Sequence, residues 1–420
     1  MKRLANVRPG ATIVPTTAAL PASGARQQKI IVCHQGHDND AGYTENIFEF
    51  LAGRGIDHAF RLLGAPFTED ELVALQADGC SVALLGFNSQ IDHAWVGSDP
   101  LVVAAARHRI AVVQWMLDHP SSRWPEFGYS GPATSRFLFH SPYSQAYFEK
   151  FCCPGAMTAT TGSVGPNWRS RSTVDGLAAF AQRPVSCLVA LSMARLGVSA
   201  AETETRIAAL DPALAAALRQ AITRARFELD QPLEIHLTAS LEESRLTLEM
   251  EAFNRCFRLL NDAVQHFRRA RIIRTASRFG VLIQSDASAR GLIGAGPSSF
   301  RQDVGTTQTL AGMRLCRAVL SVSPVNDSIH DRTCNALNAG CLPILEDNRA
   351  HRGLFGHGEN ALLFRYDDDS VEACLALACE DPARLYDMAE RAKAMRDQKR
   401  FRFGRFGNIV DLAGRPAHTE

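Results

Sequence analysis

The sequence predicts an α/β chain with two Rossmann-like parallel-sheet domains facing a cleft. Three observations carry that expectation. Short, continuously apolar runs such as KIIVC (29–33), SVALLGF (81–87) and IAVVQWML (110–117) recur between segments with helical signals. A strand that is apolar at every position is covered on both faces, as in a parallel sheet between helix layers. The series breaks at 166–184, a polar stretch with Gly, Pro, Trp and several Arg and Ser, then restarts with SCLVALSM (186–193). The length, 420 residues, suits two domains of ordinary size.

Residues 1–28 start basic, hold three prolines and end in small residues, so a flexible tail is expected in preference to a signal peptide. The first domain is expected over 29–165. Its strands are 29–33, 58–63, 81–87, 110–117, 136–140 and 157–161. Helices are expected over 44–54, 68–78, 100–108 and 143–151. The second opens on Thr-Glu-Asp, an N-terminal signal.

After the linker at 166–184, the second domain is expected over 185–398. It begins with the strand at 186–193. A long helical stretch follows from about 200 to 271, with breaks expected near 230–232 and 237–240. Strands at 279–285 and 318–322 flank a helix at 308–316. A strand at 362–366 and helices at 370–379 and 382–398 close the domain, and 399–420 is read as a tail.

The most informative segment is NDSIHDRTCNALNAGCLPILEDN (326–348). It reads as a loop, a short helix opened by Asp331 and stopped at Gly340, a buried strand (342–345) and a polar strand end. Asp complements the dipole at a helix start, and Gly takes the positive φ just past a helix end. Asn335 follows Asp331 by one turn, so both face one way. A helix start beside a strand's carboxyl end is where open α/β sheets hold phosphorylated ligands.

HDRTCNALNAGCLPILEDN, followed by HGENALLFRYDDD, resembles the carboxy-terminal domain of group-1 glycosyltransferases of the GT-B fold. The closest branch is the bacterial one with a His-Asp-Arg signature before a small-residue helix. The resemblance is clearest over 310–395. It implies a nucleotide-sugar donor held by the second domain and a glycan, lipid-linked or protein acceptor held by the first. Cell-surface polysaccharide biosynthesis is the setting it suggests. Retaining members carry a spaced pair of glutamates before that helix. Asp327 and Asn335 stand at those places here, so the second charge is missing and the stereochemistry is open. A degenerate glycan-binding or scaffold protein and a sugar-nucleotide epimerase are the competing readings.

Within this motif Arg332 offers a planar fork of donors to a diphosphate; taken alone, Asp331-Arg332 reads as a surface pair. His330 is equally suited to contact a phosphate or sugar oxygen or to act as a helix cap. Glu346, Asp347 and Asn348 follow a buried strand, where one of them would hold a ribose or sugar hydroxyl, or form a solvated turn. In the first domain, Asp118 and His119 end a nearly wholly apolar strand and form the preferred general-base region; a turn is the competing reading. His34, His37 and His140 are the next candidates.

The formal net charge of +1 argues for neither a nucleic-acid binder nor an acidic halophile, and no nucleic-acid partner is expected. No apolar run approaches the roughly 20 residues that span a bilayer. Eleven cysteines, an odd count without CxxC spacing, fit free thiols in a reducing cytoplasm. No cofactor and no metal are expected. The basic run of Arg268, Arg269, Arg271, Arg274 and Arg278 is either a solvated helix face or a peripheral contact with the inner membrane face.

Overall fold

The computed structural model describes residues 27–36, 38–77, 79–122, 130–131, 133–162, 176–193, 199–302, 306–323, 329–396 and 406–414. The chain divides into two compact units, residues 1–166 with 403–420, and residues 167–402.

Six strands build the sheet of the first unit: β1 (Gln28–His34), β2 (Asp57–Leu62), β3 (Ser81–Phe87), β4 (Ala111–Met116), β5 (Arg136–Phe139) and β6 (Met157–Thr160); Trp95–Val96 and Asp99–Pro100 form a separate antiparallel pair. They form one sheet in the order β2-β1-β3-β4-β5-β6, and every pairing is parallel. Successive side chains of a strand point to opposite faces, so one strand serves two cores. Ile31 and Cys33 of β1 pack with Leu72, Leu84 and Leu101. Ile30 and Val32 pack on the other face with Tyr43, Ile47 and Leu51.

Those last three residues lie on α1 (Asp38–Ala52), which starts six residues earlier than the sequence suggested. Their spacing of four puts them on one helix face, and burying that face extends the helix back through Gly42. The helix α2 (Glu69–Gln76) begins as expected: Thr68 is its N-cap, paired with Glu71 in a capping box. The unit also holds α3 (Leu101–Arg107) and α4 (Pro142–Phe151).

The second unit holds β7 (Val185–Ala190), β8 (Leu282–Ser285), β9 (Ser299–Gln302), β10 (Cys316–Leu320), β11 (Leu342–Glu346) and β12 (Leu362–Phe364). Their order is β9-β8-β7-β10-β11-β12, again all parallel. Numbered from the unit's own first strand this is 3-2-1-4-5-6, the dinucleotide-fold order, whose switch point lies between β7 and β10. The sequence reading had no counterpart of β9, a half-exposed edge strand with only one apolar residue.

Short α5 (Leu177–Ala181) precedes β7. Between β7 and β8 the chain inserts α6 (Ala200–Ala208), α7 (Pro212–Ala225), α8 (Leu233–Glu243) and α9 (Met250–Ala276). A break expected at 237–240 is absent, because Leu237, Ser240 and Leu241 are buried on one continuous helix, α8. The chain turns instead at 244–249. The remaining helices are α10 (Thr306–Met313), α11 (Asp331–Asn338), α12 (Arg349–Arg352), α13 (Asp368–Glu380) and α14 (Pro382–Arg396).

The carboxy-terminal stretch read as a tail contains a helix, α15 (Gly407–Gly414), which belongs to the first unit. Phe406 stacks edge-on against Trp115 at 5.4 Å and Phe50 at 5.6 Å. Asn408 Nδ2 donates to Thr160 O at 2.7 Å, and Gln28 Nε2 donates to Val410 O at 3.1 Å. Apolar burial by Phe406, Ile409 and Leu412 explains why this segment folds. Residues 399–405 lie outside the described set, as do 1–26, His37 and the linker at 166–175.

Candidate functional site

At the switch point of the second unit, the segment after β7 is fastened by Asp286, which follows β8. Its Oδ2 accepts from Ser192 Oγ at 3.1 Å and from Met193 N at 2.5 Å, and its Oδ1 accepts from Ser288 N at 3.1 Å. Arg269 Nη1 donates to Ser192 O from α9. The sequence reading singled out neither Asp286 nor this role of Arg269.

On the other side of the switch point, β10 runs into Ser321–Ser323, and α11 begins at Asp331. Asp327 lies outside the described residues. Gly340 takes φ +69° after the helix, as its position demanded. The N-cap is His330, one residue ahead of the Asp expected to open the helix. Its Nδ1 stands 2.6 Å from Asp331 Oδ1 and 3.1 Å from the Arg332 backbone N. One ring nitrogen cannot both donate and accept. The carboxylate contact decides, because 2.6 Å between two lone pairs would be repulsive, and the Arg332 N–H has the Asp331 carboxyl as a second acceptor. Burial alone would raise the Asp331 carboxyl; the His330 charge and hydrogen bond, with Arg332, outweigh it and hold the group well below the usual carboxylate range.

Arg332 is half-buried at the start of α11, whereas Asn335 and Asn338 are buried further along it. Thr333 Oγ1, Ser321 Oγ and His351 Nε2 are buried without a hydrogen-bond partner. Buried polar atoms in that state are uncommon and ask for water or a ligand. His351 sits on α12 with Nδ1 at 2.7 Å from Glu346 O, which can only accept. The proton is therefore on Nδ1, and burial pushes the imidazole down to about 4.

The three residues after the buried strand have distinct surroundings. Glu346 is buried. Its carboxylate accepts from Ser323 N at 2.7 Å and from the Tyr366 hydroxyl, and burial raises its pKa against the opposing pull of Arg268. Asp347 pairs with Arg352 at 2.9 Å and Arg365 at 3.0 Å. Asn348 caps α12, its Oδ1 accepting from His351 N at 2.8 Å. The polar strand end thus organises the edge of the sheet through contacts within the chain.

The basic run is largely absorbed by the fold. Arg268 is fully buried and donates to Ala225 O at 2.9 Å, Arg226 O at 3.2 Å and Glu228 O at 2.7 Å, closing the carboxyl end of α7. Its guanidinium also lies 5.0 Å from the Tyr366 ring centroid. Arg271 pairs with Asp368 at 3.2 Å, and Arg278 pairs with Glu372. Three of these five arginines thus have carboxylate or carbonyl partners in the same unit besides Arg269 at Ser192. No helix among the described residues is long and apolar enough to cross a membrane.

In the first unit, Asn88 joins the ends of β3 and β4. Its Oδ1 accepts from Leu117 N at 2.7 Å and Asp118 N at 2.9 Å, and its Nδ2 donates to Asp118 Oδ2 at 3.1 Å. Asn88 and Ser89 adopt φ +45° and +60° there, a conformation held by the surrounding bonds. Asp118 is exposed at the carboxyl edge of the sheet. His119 differs sharply: its Nδ1 lies 2.8 Å from Ser121 Oγ, its ring meets Tyr147 edge-on at 4.5 Å, and burial pushes it down to about 3. The shift favours its neutral form. His34 is buried, its Nδ1 accepting from Gly36 N at 2.9 Å, and His140 Nδ1 lies 3.4 Å from Gly162 O. Among the described residues no group of three or more His, Cys, Asp or Glu is placed to hold a metal ion.

Residues 268–402, about a third of the chain, match the family model described as glycosyl transferase-like. The match spans the His-Asp-Arg helix and β10 to β12, so the family-level resemblance holds over that stretch. No curated protein matches the chain. Among solved structures, sucrose-phosphate synthase from Thermosynechococcus elongatus has 10% identity and a TM-score of 0.47, covering 93% of this chain and 98% of that one. An alpha-glucosyltransferase in complex with UDP-glucose and abasic-site DNA has 11% identity and a TM-score of 0.49, covering 93% and 100%. Anabaena Alr3699/HepE in complex with UDP and glucose has 11% identity and a TM-score of 0.47, covering 92% and 99%.

Proposed function

We propose that the protein is a glycosyltransferase moving a sugar from a nucleotide-sugar donor to a glycan, lipid-linked or protein acceptor. The observation that carries this reading is the glycosyl transferase-like match over 268–402, on a unit whose strand order sets the start of α11 beside its switch point. Arg332 would bind the donor diphosphate with its fork of donors as charge grows on the leaving group. Asn335 and Asn348 would act close by, Asn348 by shaping the turn after β11. The first unit would bind the acceptor, with the exposed Asp118 as base in preference to His119, whose ring is engaged by Ser121 and Tyr147. A reducing cytoplasm suits the eleven free thiols, eight of them buried.

Asn335 favours a second reading. An amide at a place where retaining relatives carry a carboxylate suits a protein that binds glycans without turnover. Incubation of the purified protein with a panel of nucleotide sugars separates the two. Thermal stabilisation with slow donor hydrolysis supports the enzyme. Stabilisation by glycans alone, without hydrolysis of any donor, supports the binding protein.

A further inference from the structure

We propose that Asn88 is a positioning residue for Asp118, holding its carboxylate in one orientation at the carboxyl edge of the first sheet. The inference rests on the reading of Asp118 as base and adds the residue through which that base is aimed.

The Asn88 side chain makes two kinds of contact. Its Oδ1 accepts from Leu117 N at 2.7 Å and Asp118 N at 2.9 Å, which fixes the backbone at the end of β4. Two N–H donors on one oxygen settle which way the amide is turned. Nδ2 is then the group that faces Asp118 Oδ2, donating to it at 3.1 Å. The backbone bonds by themselves hold the strand end, and any acceptor oxygen would serve them. The third bond goes to an exposed carboxylate. There it competes with water and adds little to stability. Its consequence is orientation, because it selects one side-chain rotamer for a group that solvent alone would leave free to sample several.

The support behind Asn88 has the same character. Asn88 and Ser89 both take left-handed backbone, with φ +45° and +60°. Consecutive non-glycine residues persist in that region only where their surroundings hold them, and such strain clusters at functional sites. Asn88 N donates to Trp115 O at 2.9 Å, and Ser89 Oγ lies 3.7 Å from Met116 Sδ. Gln90 Oε1 accepts from Gln35 N at 2.9 Å, and its Nε2 donates to Asp40 Oδ2 at 2.9 Å. Residues 88–90 are thereby fastened to β4, to the end of β1 and to α1. They lie where the strand order of the first sheet reverses, between β1 and β3. Asn88 itself acts through Asp118.

A strand-end clamp explains the two backbone bonds but makes turnover independent of the amide donor, so Asn88→Asp separates the roles. Aspartate keeps the shape, tolerates positive φ and retains an acceptor for Leu117 N and Asp118 N. In place of the amide N–H it offers Asp118 a second carboxylate. Hydrolysis of the panel nucleotide sugar that wild type turns over fastest, with water as acceptor, is followed against pH. The proteins are wild type, Asn88→Asp, Asn88→Gly and Asp118→Asn. Asn88→Asp should keep the wild-type unfolding curve and donor KM and lower kcat about 10- to 100-fold, as a misaligned reacting group does. Its acidic limb should move to higher pH, because adjacent carboxylates resist ionising together. Asn88→Gly fits the left-handed backbone without strain and should also lower kcat; it carries the comparison if the like charge prevents Asn88→Asp from folding. Wild-type kcat or an unmoved limb in Asn88→Asp, or wild-type kcat in Asn88→Gly, overturns the inference, and a loss in Asp118→Asn then leaves the base reading standing. Wild-type turnover in Asp118→Asn removes the base and the inference with it. A wild type that hydrolyses no nucleotide sugar removes the transferase reading and both roles.

Discussion

The Glu346 carboxylate accepts the backbone N–H of Ser323 at 2.7 Å, tying the end of β11 to the segment that leaves β10 for the His-Asp-Arg helix. The same carboxylate takes the Tyr366 hydroxyl at the end of the next strand. Three adjacent strand ends are thereby held by one buried acid. A carboxylate suits this place because both partners only need an acceptor.

Glu346→Ala leaves the Ser323 N–H and the Tyr366 hydroxyl without an acceptor. Each buried group so stranded costs about 1–3 kcal/mol, so a loss of about 2–5 kcal/mol is expected in urea unfolding. Tyr366→Phe should cost less, because the Ser323 bond survives. A loss below about 1 kcal/mol in Glu346→Ala would show that the strand ends are held by other contacts.

A buried carboxyl in the first unit should shape the pH dependence of stability. Asp92 takes a hydrogen bond from Ser130, and burial raises it to about 7, above its ordinary 3.8. The folded state therefore keeps the proton after the unfolded chain has released it. Its contribution is fully present below about pH 4 and is lost as pH rises toward 7. Asp92→Asn removes this loss. The stability of the variant relative to wild type should therefore grow across that window, by up to about 4 kcal/mol. A difference that stays flat with pH would show that Asp92 titrates normally.

Asp118→Asn tests the base. The Asn88 hydrogen bond can be kept by the new amide oxygen, so folding and donor binding should be unchanged. Transfer should fall by roughly 10²–10⁴-fold, the usual worth of a positioned base, and the acidic limb of the pH–rate profile should disappear. Retained transfer would move the role to another group, with His34, His37 and His140 next to test.

Much of the fold is legible in the sequence because its information is local. All six strands of the first sheet and five of the second are read from the sequence, most of them as apolar runs, and Thr68, Asp331 and Gly340 mark helix ends by their backbone preferences. What escapes local reading depends on partners far away in the chain. β9 is an edge strand whose residues are part-exposed, so it lacks the buried-strand pattern. The helix at Gly407–Gly414 is stabilised by residues over 240 positions earlier, such as Thr160. Of the site, the position of α11 was legible from its motif. The pairing of His330 with Asp331, the burial of Glu346 and the contacts of His119 with Ser121 and Tyr147 were not, because each depends on packing that surrounds the residue in three dimensions. Arg268 looked like surface charge in a basic run and is instead fully buried, where its donors meet the carbonyls ending α7.

The measurement that tests the central claim most directly is donor affinity and hydrolysis across a nucleotide-sugar panel, made side by side on wild type and Arg332→Ala. The account expects at least one donor to be bound and slowly hydrolysed by wild type. It expects Arg332→Ala, with the same unfolding curve, to lose about 1.5–3 kcal/mol of donor binding or transition-state stabilisation, the range of a charged hydrogen bond. Equal affinity and turnover in the two proteins would contradict the assignment of the α11 start as the donor site. A wild type that neither binds nor hydrolyses any nucleotide sugar would contradict the transferase reading itself.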